Sequence, residues 1–340
     1  PVPPGFTITT EVCNYFTENK ELPVNLNQDI KKAVSKLETF SDKSFSGKGT
    51  PLLLSVRSGG RISMPGMMDS ILNIGLNDNN VSHLAETFND ERFALDSYRR
   101  LIQMYSNVVL GVEHDRFEAV LANKKRLDNV ASDADFNVEQ LKWIINAYKN
   151  TVERFTNAEF PQDPYEQLMG SIEAVFNSWQ NKRAATYRKI NNIPDEWGTG
   201  ATVQTMVFGN LNDKSGTGVA FTRNPSNGLK ELYGEYLINA QGEDVVAGIR
   251  TPHPIREDKN IEQESLESKF PNVYRDILEI STKLENHFKE VQDIEFTIEN
   301  ENIYLLQTRK AKRTAQASVK VAIDMQKEGI VTKEEAITTV

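Results

Sequence analysis

The run Val291-Gln292-Asp293-Ile294-Glu295-Phe296-Thr297-Ile298 alternates apolar and polar residues. A period of two belongs to a half-buried strand. Ile294, Phe296 and Ile298 share one face, predicted to be core, and Asp293 and Glu295 share the other. After Glu299-Asn300-Glu301-Asn302 a second extended run, Ile303 to Arg309, supplies a partner, so the segment is predicted to be a hairpin. If residue 295 pairs with 307, then 293 faces 309, and Asp293, Glu295, Gln307 and Arg309 form one polar patch. Residues two apart at ~3.3 Å rise lie roughly 6.6 Å apart on one side of a strand. Two carboxylates so placed repel, and a divalent cation relieves the repulsion; Mg²⁺ takes one or two carboxylates and completes its shell with phosphate oxygens and water. The solvated outer face of an ordinary hairpin shows the same alternation, and on spacing alone that plainer reading is favoured.

The rest of the chain is too long for one compact core, and 340 residues suggest two or three subdomains. Residues 1–78 read as mixed α/β, with the apolar strand Leu52 to Arg57 running into Ser58-Gly59-Gly60. Residues 79–160 are predicted helical: Ala94, Tyr98, Leu101, Ile102 and Tyr105 recur at helical spacing, as do Val138, Leu141, Ile145, Tyr148, Val152 and Phe155. Residues 161–208 return to β structure through a helix opened by Pro164. Residues 209–340 form a second α/β region, with an amphipathic helix over 276–290 carried by Ile277, Ile280, Leu284 and Phe288. A further helix runs over 314–327, and a capping box at Thr332 and Glu335 starts another. A chain that ends two turns into that helix, and begins without Met, reads as a fragment. No stretch approaches the ~20 apolar residues of a membrane span. The net charge of -9 and the absence of a basic patch argue against nucleic acid. The single Cys13 forms no internal disulfide and is read as a buried thiol.

Three further segments could carry chemistry. Ser215-Gly216-Thr217-Gly218 is read as a glycine-rich turn before the strand Val219 to Thr222, with backbone N–H groups and the Thr217 hydroxyl open to an anion. A plain hairpin turn uses the same residues, and no Walker A lysine follows. Arg57 and Arg61 bracket Ser58-Gly59-Gly60, where guanidinium groups could clamp phosphate oxygens, or make structural ion pairs. Met64, Met67 and Met68 read as core packing. Gln241-Gly242-Glu243-Asp244 follows the apolar strand Tyr236 to Ala240; its acids suit a ribose or a metal, and a polar loop explains them equally well. His83, His114, His253 and His287 show no ligand spacing, and His253, between two prolines, is predicted in a surface loop.

Ser55 to Asp69, with its Met64-Pro65-Gly66-Met67-Met68-Asp69, resembles a signature of the pyruvate phosphate dikinases. So do Gln204 to Gly209, Ser215 to Pro225, Tyr233 to Val246, Gln292 to Arg313 and the opening Val2-Pro3-Pro4-Gly5-Phe6-Thr7. The likeness covers essentially the whole chain. It implies an ATP-grasp nucleotide-binding domain with a helical insertion, ATP lying between two α/β lobes. Carried over motif by motif, Met206 and Val207 lie at a hinge beside adenine, Glu243 and Asp244 near the ribose, and Gly216, Thr217 and Gly218 over the phosphates. Arg57 contacts the transferring phosphates, Arg61 belongs to the same nucleotide-binding set, Arg309 holds charge at the same group, and Asp293, Glu295 and Gln307 hold Mg²⁺.

In that family a histidine on a separate swivelling domain attacks the β-phosphate of ATP, inorganic phosphate takes the γ-phosphate, and the phosphohistidine later phosphorylates pyruvate on a TIM barrel. None of the four histidines here stands in the phosphohistidine motif, and a Gly-Gly-Lys-Gly segment expected before Pro3-Pro4-Gly5-Phe6 is absent, so this chain alone is expected not to complete the reaction. The resemblance implies a full-length homodimer in the cytoplasm, or in an organelle if a targeting segment has been removed, with no nucleic-acid or membrane partner. A phosphoenolpyruvate synthase or other water dikinase is the near alternative; a non-catalytic nucleotide-binding or regulatory module is the distant one.

Overall fold

A computed structural model describes the chain except residues 48, 63, 65, 249 and 258–262, and describes the backbone alone at Val246 and Ala247. The chain divides into two compact units, Pro4–Met206 and Val207–Val340, the latter joined by Pro1–Pro3. The first three residues were expected with the N-terminal lobe. Leu305 N–H instead donates to the Pro1 carbonyl at 2.9 Å, a bond in which proline, lacking an N–H, can only accept.

In the unit Pro4–Met206, β1 (Gly5–Ile8) leads into α1 (Thr10–Asn19) and α2 (Leu26–Ser41), followed by β2 (Leu54–Gly59) and β3 (Ser70–Ile74). The helices α3 (Val81–Phe88), α4 (Glu91–Val108), α5 (His114–Asp128) and α6 (Val138–Thr156) come next, in the stretch where the 3.6-residue pattern predicts them. Then α7 (Pro164–Ser178) and α8 (Lys182–Ile190) lead to β4 (Gly200–Thr205). The strands form one antiparallel sheet in the order β1-β4-β2-β3. α7 starts at Pro164 with Asp163 as its cap, and packs on β2, β3 and β4. β4 stops at Thr205. Helix α8 was not foreseen. Only Ala184 and Arg188 are buried along it, and the Arg188 guanidinium stacks on the Trp179 ring at 4.2 Å, so no apolar stripe marks the helix in sequence. Met64 packs with Trp179, Ala184 and Ile193, as a core reading of that methionine requires. Cys13 is a buried free thiol, and burial raises its pKa.

In the second unit, β5 (Gly216–Phe221), β6 (Tyr233–Ile238), α9 (Gly242–Ala247), β7 (His253–Pro254), α10 (Leu266–Lys269) and α11 (Pro271–Phe288) precede the hairpin β8 (Gln292–Glu299) and β9 (Asn302–Lys310). Then come α12 (Ala315–Lys327) and α13 (Lys333–Thr338), the latter opened by the reciprocal Thr332–Glu335 capping box. The antiparallel sheet runs β7-β6-β5-β8-β9. One core joins Ile294, Phe296 and Ile298 to Val273 and Ile277 of α11 and to Tyr236. α11 begins five residues before the predicted start, because Pro271 suits a first turn and Val273 extends the buried stripe; Phe288, expected on that stripe, is exposed. His253 lies in a short strand, its ring 5.5 Å from that of Tyr236, and not in a surface loop.

Candidate functional site

The turn of the β8–β9 hairpin is two residues long, tighter than the predicted loop. Asn300 and Glu301 take φ values of 48° and 65°, the left-handed pair that a twist-matched two-residue turn needs and that asparagine tolerates well. That turn and a one-residue bulge together set the register: Asp293 lies opposite Arg309 and Glu295 opposite Gln307. Arg309 Nε donates to Asp293 Oδ2 at 2.8 Å, and its Nη2 lies 3.3 Å from Glu295 Oε1. One guanidinium thus bridges two carboxylates that would otherwise repel. Beyond Glu295 a bulge makes Leu306 the extra residue of β9, since Phe296 pairs with Leu305. Directly paired residues share a sheet face. The same face therefore carries Val219 and Phe221 of β5 and, beyond them, Glu235 of β6, a third acid that linear spacing could not reveal.

These donors suit Mg²⁺. Asp293 and Glu295 offer hard carboxylate oxygens and Gln307 an amide oxygen, and no cluster of three or more His, Cys, Asp or Glu able to hold a metal exists among the described residues. Such a set would supply only part of a coordination shell, which suits Mg²⁺ where phosphate oxygens and water complete it.

Gly216, Thr217 and Gly218 are not a loop. They are the first half of β5, paired with Ile238, Leu237 and Tyr236 on one side and with Ile298, Thr297 and Phe296 on the other. The ladders engage their backbone groups, and Thr217 Oγ1 donates to the Phe296 carbonyl at 3.1 Å. A Cβ on Gly218 would lie 2.6 Å from the Phe296 ring, so close packing requires that glycine. Glu243 and Asp244 lie in the first turn of α9, where Asp244 accepts from the Gln241 N–H at 2.9 Å. Val207 precedes Phe208, whose N–H donates to Glu299 Oε2 at 2.7 Å.

The other expected residues belong to the unit Pro4–Met206. Met206 N–H donates to the Leu53 carbonyl at 2.9 Å. Arg57 is half-buried on β2, between Thr202 and Ser70. Arg61 is exposed and lies over the Trp197 ring at 4.7 Å. Ser63 and Pro65 of the same motif lie outside the described residues. Near the end of the motif, a polar cavity of about 270 Å³ is lined by Asp69, Glu173, Asn177 and Asn181 among others. Burial raises the Asp69 carboxyl, the Arg183 guanidinium only partly opposing it, and burial raises Glu173 as well.

The sequence profile described as pyruvate phosphate dikinase, AMP/ATP-binding domain, matches residues 19–277 and 254–330. The chain is 50% identical over 345 residues to the pyruvate, phosphate dikinase of Rhizobium meliloti (strain 1021), covering 100% of this chain and 38% of that protein. It is 50% identical over 342 residues to that of Clostridium symbiosum, again covering 100% of this chain and 38% of the relative. With the chloroplastic pyruvate, phosphate dikinase 1 of Arabidopsis thaliana the identity is 47% over 340 residues, 100% of this chain and 34% of that protein. The chain thus spans little more than a third of the length of these relatives. It belongs to the family of pyruvate phosphate dikinase AMP/ATP-binding domains.

Proposed function

We propose that this chain is an ATP-grasp domain that binds Mg-ATP and presents the β-phosphate to a histidine on another domain of a pyruvate phosphate dikinase. The whole reaction would convert ATP, phosphate and pyruvate into AMP, diphosphate and phosphoenolpyruvate. The observation that carries this reading is the patch in which Arg309 bridges Asp293 and Glu295, with Gln307 opposite Glu295. Asp293, Glu295 and Gln307 would hold Mg²⁺, which supplies charge neutralisation at the phosphate oxygens. Arg309 can exchange its carboxylates for phosphate oxygens of equal charge and similar geometry. Arg57 is the second phosphate contact, with Arg61 beside it in sequence. Glu243 serves the ribose, and the Asp244 carboxylate the helix cap and the ribose together. Met206 and Val207 flank the base. Phosphoryl transfer needs positioning and neutralised charge more than covalent chemistry from this domain. Gly216, Thr217 and Gly218 would lie over the phosphates as residues of a strand and not of a loop.

For the whole protein this reading brings inorganic phosphate as second acceptor, a TIM barrel for pyruvate, a homodimer and a cytoplasmic setting. The reading includes no nucleic-acid or membrane partner. Calorimetric titration of the chain with ATP tests it. Binding should require Mg²⁺ and should be lost in Glu295→Gln; equal binding without Mg²⁺, or by the variant, would overturn the reading.

A further inference from the structure

The hairpin that carries Asp293 and Glu295 also fastens both places where the chain passes from one unit to the other. On β8, Glu299 Oε2 accepts from the Phe208 N–H at 2.7 Å, across 91 residues of chain. On β9, the Leu305 N–H donates to the Pro1 carbonyl at 2.9 Å. The crossings fall between Met206 and Val207 and between Pro3 and Pro4. Past each crossing the chain is held again within the other unit, Met206 N–H by the Leu53 carbonyl and the Pro4 carbonyl by Thr205 N–H, both at 2.9 Å. Val207 is thus the one residue between two held N–H groups, and its own carbonyl has no hydrogen-bond partner among the described residues. Glu299 is itself well fixed, because its strand ends in the two-residue turn. There Asn300 N–H donates to Ser215 Oγ at 3.1 Å, and Asn300 Oδ1 accepts from Asn212 Nδ2 at 2.7 Å. A carboxylate bond to a backbone N–H is charge-assisted. Phe208 lies outside every helix and strand, so no ladder fixes that peptide in its place.

We propose that Glu299 is a positioning residue for the nucleotide: its carboxylate fixes the Val207–Phe208 peptide, so that the strand bearing the metal ligands also sets where the base lies. The inference rests on the Mg-ATP reading, in which Val207 flanks the base, and deepens it. A trans peptide points its C=O and N–H in opposite directions, and no described peptide bond is cis. A held Phe208 N–H therefore fixes the direction of the Val207 carbonyl as well. A carbonyl so fixed accepts from the amino group of adenine and repels the oxo group that guanine carries in its place. Along β8, Glu299 lies four residues beyond Glu295 on the same face, ~13 Å at strand rise, comparable with the reach of an extended nucleoside triphosphate from base to phosphates. One rigid strand thus sets both ends of the ligand, and a supporting side chain outside the ligand shell gives the contacting backbone its precision.

The test is calorimetry on the full chain with Mg-ATP and with Mg-GTP. The wild type should prefer ATP. Glu299→Met removes the acceptor and should weaken Mg-ATP about tenfold, the worth of one hydrogen bond, and bring the preference over Mg-GTP close to one. Glu299→Gln, which keeps an acceptor at the same reach, should recover most of both. A role in packing alone would weaken the two nucleotides by one factor and keep the preference. That result, an unchanged Mg-ATP affinity, a glutamine variant no better than the methionine one, or a wild type without preference overturns the proposal and leaves the Mg-ATP reading intact. A wild type that binds neither nucleotide overturns both. Should Glu299→Met fail to fold, Glu299→Asp decides. It keeps the charge, falls one methylene short of the Phe208 N–H and should show the same losses; wild-type affinity and preference in that variant sink the proposal.

Discussion

Arg309 stands where two demands meet, since its guanidinium neutralises Asp293 and Glu295 and is also the group proposed to receive phosphate. Without it the two carboxylates face each other with no cation between them. Arg309→Met should therefore bind free Mg²⁺ more tightly than the wild type in a nucleotide-free Mg²⁺ titration, while losing affinity for Mg-ATP. Weaker or unchanged Mg²⁺ binding would mean that the two acids do not form one site. At the same scale Gly218 shows how a residue type can mislead. Glycine serves a phosphate loop and a crowded strand alike, and here the Phe296 ring at 2.6 Å from the would-be Cβ decides for the strand.

Among the elements, α4 is locked by charge as well as by its apolar stripe. Asp96 lies between Arg99 and Arg100, bonded to Arg99 Nε at 2.8 Å and Arg100 Nε at 3.0 Å. Burial alone would raise the Asp96 carboxyl; the Arg99 and then the Arg100 guanidinium outweigh burial and hold it well below the usual carboxylate range. Its folded pKa is thus below its unfolded value of about 4. The stabilisation is fully present above that value and is lost as pH falls through the folded pKa. Asp96→Ala leaves the buried Arg99 without its carboxylate. It should cost about 3–5 kcal/mol in urea unfolding at pH 7, with the gap to wild type narrowing below about pH 4. A gap that does not change with pH would show that packing, not the ion pair, matters there. The β8–β9 hairpin shows the complementary case: its alternation and Asn300 turn form the hairpin, and the bulge beyond Glu295 shifts the register that brings Arg309 to Asp293.

For the whole molecule, ligand binding and stability are one equilibrium. At a hundred times its Kd, Mg-ATP should stabilise the folded chain by about 2.7 kcal/mol. In a thermal scan this appears as a raised midpoint for the unit that contains Asp293 and Glu295, and Glu295→Gln should abolish the rise. A wild-type midpoint that ignores Mg-ATP would contradict the proposed function. The division into units also shows where linear reading stops. Pro1–Pro3 join a unit whose other residues begin at Val207, a partnership that no local pattern announces.

What the sequence determined by itself is what local periodicity and turn chemistry control: the helices α4, α6 and α7, the start of α13 at its capping box, and the β8–β9 hairpin with its alternating faces. In each, the residues that decide the outcome are neighbours along the chain or across one short turn. The tertiary structure alone decided that Gly216 to Gly218 are central strand, that Arg188 is buried against Trp179, and that Glu235 shares a sheet face with Glu295. Those outcomes depend on residues tens of positions away, whose steric bulk and ladder pairing override the local preference for a turn, an exposed charge or an isolated strand.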